Sequence, residues 1–388
     1  MGDVTLTGKG TRMSRKTLIL LGQGGGGDIL AFTPCIRAAR KDYPDDEIIV
    51  LSTYSQLLEH NPNIDVLIPL KDADKIGDFY TEHVLGKDVR YFKKFFPYDH
   101  FLNDARYQST NLPDFITRLY GFNPDGNSFP DYFVTAYEKR AADVFLRQDS
   151  KPVILLHIFT AVPSENGMPY KMTCNVCGGQ AKDKEGNACG VCYGNGWLLS
   201  GRQKTNSLKD LNPATIAPLV EKYKKDFNFV QIGLEGEPPI PGAFDCLNMP
   251  MRETIALIQN PQVKSFIFAE SLFHHCAGAF RKPGVVVFHN TDPAFFGYAS
   301  AFNVWNHGGC NLWPCNRPVG ALLDFNPGYK NPKTRERILW ECADQKCSRM
   351  TTEELEEVFV KSITEKKEDP KPIGGAFETL AEAQDSKS

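Results

Sequence analysis

The stretch from Ser265 to Pro293, SFIFAESLFHHCAGAFRKPGVVVFHNTDP, reads as strand, turn, helix, strand and turn in one continuous unit. Ser265 to Ala269 is a short apolar run. Glu270 and Ser271 then give a helical pattern a polar start, a carboxylate and a hydroxyl suited to the free N–H groups of a first turn. Ala277, Ala279 and Phe280 would face a sheet, Arg281-Lys282-Pro283 ends the helix, and Gly284 to Phe288 reads as a second buried strand. A βαβ unit of this kind belongs to a parallel sheet and sets polar residues at the carboxyl ends of its strands, where open α/β sheets bind ligands.

Working outward, Lys16 to Leu21 (KTLILL) predicts a first buried strand, followed directly by Gly22-Gln23-Gly24-Gly25-Gly26-Gly27-Asp28. Gly24, Gly25, Gly26 and Gly27 permit positive φ and leave backbone N–H groups uncovered beside a helix expected to begin near Asp28, although plain flexibility would also account for them. Residues Phe115 to Tyr120 and Ala136 to Arg147 read as helices, and Gln148 to Pro152 as a linker. Val89 to Tyr98 interleaves basic and aromatic residues, a pattern that stacks bases, meets lipid headgroups, or simply forms an element with one core face. Val153 to Phe159 (VILLHIF) opens the second half as a buried strand. Leu211 to Lys225 follows as an amphipathic helix, Phe227 to Ile232 as a strand, Gly233 to Glu237 as a turn and Met251 to Ile258 as a short helix. Glu353 to Ile363 is the expected closing helix, with a flexible start at 1–15 and a disordered tail at 364–388 rich in Lys, Glu, Pro and Ser.

Eleven cysteines are present. Cys174-x-x-Cys177-Gly and Cys189-x-x-Cys192 stand with eleven intervening residues, each knuckle offering two thiolates from a tight turn, the spacing of a tetrahedral zinc site. With almost no apolar residues to form a core, that module depends on its metal to fold. Cys310-x4-Cys315 and Cys342-x4-Cys347 make a second set of four, read either as a further zinc or iron site or as free buried thiols.

The order and content of these motifs resemble the heptosyltransferase family of glycosyltransferases, family nine, of GT-B architecture. The family's donor signature is an acidic residue, Ser or Thr, Gly, two residues, His, a helix, a strand and a Gly-x-Thr-Asp-Pro turn. Glu270, Ser271, His275 and Thr291-Asp292-Pro293 match it, while Leu272 replaces the glycine and His289-Asn290 the Gly-Pro. At the amino terminus, Gly27-Asp28, Thr33-Pro34, Arg37 and Tyr43-Pro44 resemble the first family motif, and Leu57 to Leu70 the second helix and third strand. The resemblance implies that Asp28 is the general base, with helix capping as its bland alternative. It also implies that Glu235 or Glu237 contacts the nucleotide sugar, and that Lys204 neutralises the diphosphate, with Arg202 and Lys209 as the other choices of register. His275 has its own bland alternative, a helix residue packed under Trp305 or Phe288. The knuckles, inserted at 165–203, resemble half of the cysteine-rich module of DnaJ chaperones. The second cysteine set stands where autotransporter heptosyltransferases hold a metal, ahead of Met350-Thr351-Thr352-Glu353-Glu354.

Composition bounds the alternatives. The 388 residues allow two domains, expected at 16–150 and 151–363, and 41% hydrophobic with 23% charged residues is ordinary for a globular protein. A net charge of −3 supplies no global basic field for nucleic acid or membrane. Lys9, Arg12, Arg15 and Lys16 precede no signal-peptide core, and no run approaches the ~18–20 apolar residues of a membrane span, so a cytoplasmic protein is expected. The fold expected is α/β: two facing Rossmann-like doubly wound domains, the second carrying a zinc ribbon. The function expected is transfer of a sugar from a nucleotide-diphospho-sugar, an ADP-sugar by resemblance, to a saccharide, nucleic acid or protein acceptor. No Asp-x-Asp motif precedes the sugar site in the second half, so no catalytic metal is expected and both metals would be structural. The competing class is a binding protein on a degenerate transferase fold, its donor pocket closed by Leu272 and its ribbon gripping a partner.

Overall fold

The computed structural model describes residues 16–70, 78–92, 110–146, 150–160, 171–173, 180, 182, 197–199, 209–235, 237–289, 291–306 and 350–365. KTLILL forms β1 (Thr17–Gly22), buried throughout. It pairs in parallel with β2 (Glu47–Ser52) and β4 (Val89–Phe92), and β2 pairs with β3 (Val66–Pro69), giving the order β3-β2-β1-β4. Parallel neighbours need a crossover, and α1 (Gly26–Ala31) with α2 (Thr33–Asp42) supplies the first. The block resembling a second helix is instead a single 3-10 turn, Ser55–Leu57. There His60 takes φ 65 and Asn61 Oδ1 accepts the Asn63 N–H at 3.0 Å, so the chain turns around Pro62.

Helices α3 (Leu112–Leu119) and α4 (Ala136–Leu146) lead to β5 (Val153–His157). An antiparallel pair, β6 (Lys171–Thr173) and β7 (Trp197–Leu199), follows with Thr173 opposite Trp197. The chain continues through α5 (Pro213–Tyr223), β8 (Asn228–Gly233), β9 (Phe244–Leu247), α6 (Met251–Gln259), β10 (Val263–Ala269), α7 (Leu272–Ala279), β11 (Val285–Phe288), α8 (Pro293–Phe296), β12 (Phe302–Trp305) and α9 (Thr352–Thr364). The second sheet is parallel with order β12-β11-β10-β5-β8-β9. From β5 the chain builds outward to β8 and β9, then returns to the other side of β5 for β10, β11 and β12. The strand order therefore reverses between β5 and β10, and a doubly wound sheet binds ligands at the carboxyl ends beside such a point.

Strand alternation divides the second core into two faces. Val153, Leu155, Phe266, Phe268, Val286 and Phe288 pack with α6 and α7, in a cluster that runs on into Leu18 and Leu20 of the first sheet with α1 to α3. Ile154, Leu156, Ile267, Val285 and Val287 pack under α5 and α9 through Ile216, Leu219, Leu355 and Phe359. Phe359 is fully buried against the rings of Tyr223, Phe227 and Phe229, a site where truncation to Ala costs about 3–5 kcal/mol. Helix α7 ends as Arg281-Lys282-Pro283 predicts. Arg281 takes φ 50, and the Lys282 and Arg281 N–H groups return to Ala277 O and Gly278 O at 2.9 Å each, a Schellman closure before the proline.

Candidate active site

The polar residues at the reversal point interlock. His157 ends β5 and Ser271 follows β10, and Ser271 Oγ lies 3.0 Å from His157 Nδ1. Beside them Glu270, 4% exposed, accepts the Thr291 hydroxyl at 3.0 Å and is ion-paired with Lys209 Nζ. Burial alone would raise the Glu270 carboxyl pKa, but the Lys209 ammonium and the Thr291 hydroxyl hold it below 4.5, so the group stays ionised. Lys209 is placed by its neighbour. Asp210 Oδ1 accepts the Thr160 N–H at 2.6 Å and hydroxyl at 2.9 Å, fastening the lysine's segment to the loop beyond β5.

Two consecutive histidines on the first turns of α7 do different work. His274 uses both ring nitrogens on backbone, Nδ1 beside Ser271 N at 3.0 Å and Nε2 beside Phe296 O at 3.0 Å, and it is His274 that packs against Phe288. His275 instead sets Nδ1 2.7 Å from the Tyr298 hydroxyl, and burial pushes its pKa well below 6.5, leaving a neutral imidazole. Glu270, His274 and His275 each bring a ligand-type atom within 4.8 Å of the others. The donor set does not fit a cation, because His274 is spent on backbone and Lys209 already neutralises Glu270.

The glycine loop of the first sheet meets this cluster directly. A Cβ on Gly27 would lie 2.6 Å from His275 Cδ2 and 2.8 Å from its Nε2, and one on Gly26 would lie 3.1 Å from Leu272 Cδ1. Only glycine lets α1 and α7 approach this closely. Leu272, at the position where the resembling family has glycine, packs on Gly26, which Leu57 also approaches. The helix begins at Gly26, two residues before Asp28, and Asp28 Oδ2 accepts the Gly25 N–H at 2.8 Å, a cap from the third helical position. Its charge also reaches Tyr54 and Tyr298, adding to the burial that raises both phenol pKa values.

The expected site residues divide accordingly. Glu270, Ser271, His275 and Thr291 converge with the Gly24 to Gly27 loop and Asp28. Asp292 caps α8 by accepting the Ala294 N–H at 2.7 Å. At the carboxyl end of β8, Glu235 is exposed and Glu237 is buried beside Gly233, which takes φ 157. Lys204 and Arg202 lie outside the described residues, as do Cys174, Cys177, Cys189, Cys192, Cys310, Cys315, Cys342 and Cys347, while β6 and β7 bracket the knuckle sequences. His157 and Tyr298 carry site contacts that motif reading passes over, since one sits inside an apolar strand and the other in a loop beyond the signature.

No family model matches the chain, and no curated protein matches it in sequence. Solved structures do match in fold. A glycosyl transferase family 9 protein from Veillonella parvula superposes with a TM-score of 0.60 at 14% identity, over 90% of this chain and 97% of that one. The iron-containing dodecameric glycosyltransferase TibC from enterotoxigenic E. coli gives 0.54 at 16% identity, over 89% and 76%. TibC in complex with ADP-D-beta-D-heptose, described as a heptosyltransferase, gives 0.50 at 15%, over the same 89% and 76%. The fold is that of these glycosyltransferases, built on two parallel α/β sheets.

Proposed function

We propose that the protein is a glycosyltransferase that moves a sugar from a nucleoside-diphospho-sugar to an acceptor hydroxyl. The observation that carries this reading is the meeting of two sites. Lys209, Glu270, Thr291 and the Ser271–His157 pair gather at the reversal point of the second sheet, and the glycine loop and Asp28 of the first sheet close on them. In the reaction the acceptor oxygen bonds to the anomeric carbon as the bond from that carbon to the diphosphate breaks. Lys209 supplies positive charge to the departing diphosphate, the role first expected of Lys204, while neutral His275 and the N–H groups opening α7 offer hydrogen bonds to it. Asp28 takes the acceptor proton, its carboxylate fixed at the glycine loop by the Gly25 N–H. Glu270 keeps Lys209 oriented and charged. By likeness to the ADP-heptose complex the donor is an ADP-sugar. The acceptor is a saccharide, nucleic acid or protein.

The four thiolates of Cys174, Cys177, Cys189 and Cys192 hold a structural zinc ion, a closed set with no open position for chemistry. Cys310, Cys315, Cys342 and Cys347 hold a second zinc or an iron, and the iron-containing TibC fold favours the latter. Elemental analysis of the purified chain reads both, and finding neither metal removes this part of the proposal.

The test of the activity is incubation with a panel of ADP-, GDP- and UDP-sugars. Free nucleoside diphosphate should appear from one of them, and Asp28→Asn should slow transfer by ~10² to 10⁴-fold while leaving donor affinity nearly unchanged. The packing of Leu272 on Gly26 favours one rival, a binding protein whose donor pocket is closed. Absence of turnover across the whole panel would establish that rival instead.

A further inference from the structure

Tyr298 stands outside every motif, yet it is built into the cleft with care. Its ring lies against the bare backbone of Gly278, where a Cβ would come 2.5 Å from Cδ2, so the residue one turn beyond His275 has to be glycine. On its other face it stacks on Phe129, with centroids 6.0 Å apart and planes at 24°. Phe129 is itself held from two sides. The Arg281 guanidinium sits 4.8 Å over its ring, and Arg37 gathers the surrounding loop by bonding Asp125 and Asp131. Residues from both halves of the chain therefore fix one phenol, only 6% exposed, whose hydroxyl meets His275 Nδ1 at 2.7 Å.

The hydrogens on this pair can be assigned. Burial raises the Tyr298 pKa, so the phenol keeps its proton, and burial lowers that of His275, so the imidazole carries one N–H. Among the described residues the phenol hydrogen has no acceptor except His275 Nδ1. It is donated there, and the imidazole hydrogen then resides on Nε2, the atom 2.8 Å from where a Gly27 Cβ would be. No group among the described residues accepts from that Nε2.

We infer that Tyr298 is a positioning residue: it locks His275 in the Nε2–H tautomer, so that a neutral donor points from α7 at the glycine loop and offers a hydrogen bond to a diphosphate oxygen of the ligand. The choice of ligand rests on the donor-site reading above. A neutral donor suits this place because Lys209 already supplies the charge, and a second buried cation would oppose it. The other tautomer would turn a lone pair toward the phosphate oxygens and repel them.

The test is Tyr298→Phe, which keeps the ring between Gly278 and Phe129 and removes only the hydroxyl. Nitrogen-15 spectra of histidine-labelled protein report the tautomer with no ligand present. The wild type should show His275 as one Nε2–H species across neutral pH, and Tyr298→Phe a mixture of both. Calorimetry with ADP, GDP and UDP reads the consequence, about a tenfold loss in affinity for the nucleotide that binds, with little change in melting temperature. An Nδ1–H tautomer in the wild type, or the same His275 spectrum in both proteins, overturns the assignment. A scrambled tautomer with unchanged nucleotide affinity overturns the ligand role. Failure of the wild type to bind any of the three would refute the donor reading, and the spectra would still judge the tautomer lock separately.

Discussion

Ser271 Oγ and His157 Nδ1, 3.0 Å apart, join the carboxyl ends of β10 and β5 across the point where the second sheet reverses its strand order. His157 is further boxed in by the Phe273 ring, at 4.6 Å, and by Phe268, at 6.1 Å. The bond fixes the entry to α7 and hence the direction of its first N–H groups, to which the proposed function assigns the donor diphosphate.

The pair should therefore be coupled in stability. Ser271→Ala and His157→Phe each remove it, and a double-mutant cycle by urea unfolding should give an interaction of about 0.5–1.5 kcal/mol. A coupling indistinguishable from zero would mean that the two residues act independently.

Acid should loosen this region in two stages, and both have the same sign. The His275 pKa is held well below 6.5 by burial, aided by His274 and Lys209, so below 6.5 the unfolded chain binds a proton that the folded one refuses. Glu270, held below 4.5, adds stability above that pH, which is lost as the pH falls through its folded value. Stability, and with it the melting temperature, should thus fall from pH 6.5 downward, the unfolding free energy by up to about 1.4 kcal/mol per pH unit for the single His275 proton. His275→Gln should flatten the fall between pH 6.5 and 5, with His274 still contributing. An equally steep profile in the variant would place the acid response elsewhere.

Arg252 ties the two sheets together away from the cleft. From α6 it donates to Glu138 Oε1 at 2.5 Å, to Gln56 O at 2.7 Å and to Phe133 O at 2.8 Å, while its guanidinium lies 5.1 Å over the Tyr132 ring. Arg252→Ala strands the buried Glu138 carboxylate and should cost about 3–5 kcal/mol in urea unfolding. Arg252→Met with Glu138→Leu should recover most of that loss, because no buried charge is then left unpaired. No recovery would mean that the bonds to Gln56 and Phe133, rather than the charge pair, carry the effect.

The parts of the fold that could be read in advance are those where pattern and backbone requirement coincide. Ser265 to Phe288 is strand, capped helix and strand because its apolar alternation, its Glu-Ser start and its Arg-Lys-Pro stop agree. The edge strands β9 and β12 escaped because edges lack that alternation: Phe244 is 59% exposed and Trp305 40%. At the site, Glu270, Ser271, His275 and Thr291 are singled out by resemblance to a family signature, and the structure places them together. The lysine stays open in the sequence, because an insertion precedes it; among the described residues it is Lys209, its segment fastened by Asp210 on Thr160, that pairs with Glu270. His157 reads as core in VILLHIF, and Tyr298 has no local signal at all, since what defines it is contact with Gly278 and with Phe129, far away in the chain.

Everything proposed for the donor turns on the site around Lys209. Calorimetric titration of nucleoside diphosphates into the wild type, Lys209→Ala and Lys204→Ala tests it most directly. The wild type should bind one of ADP, GDP and UDP, Lys209→Ala should bind it about 10- to 100-fold more weakly, as expected for loss of one charge-assisted contact, and Lys204→Ala should match the wild type. Equal affinity in the wild type and Lys209→Ala, or no binding by the wild type, would contradict the account.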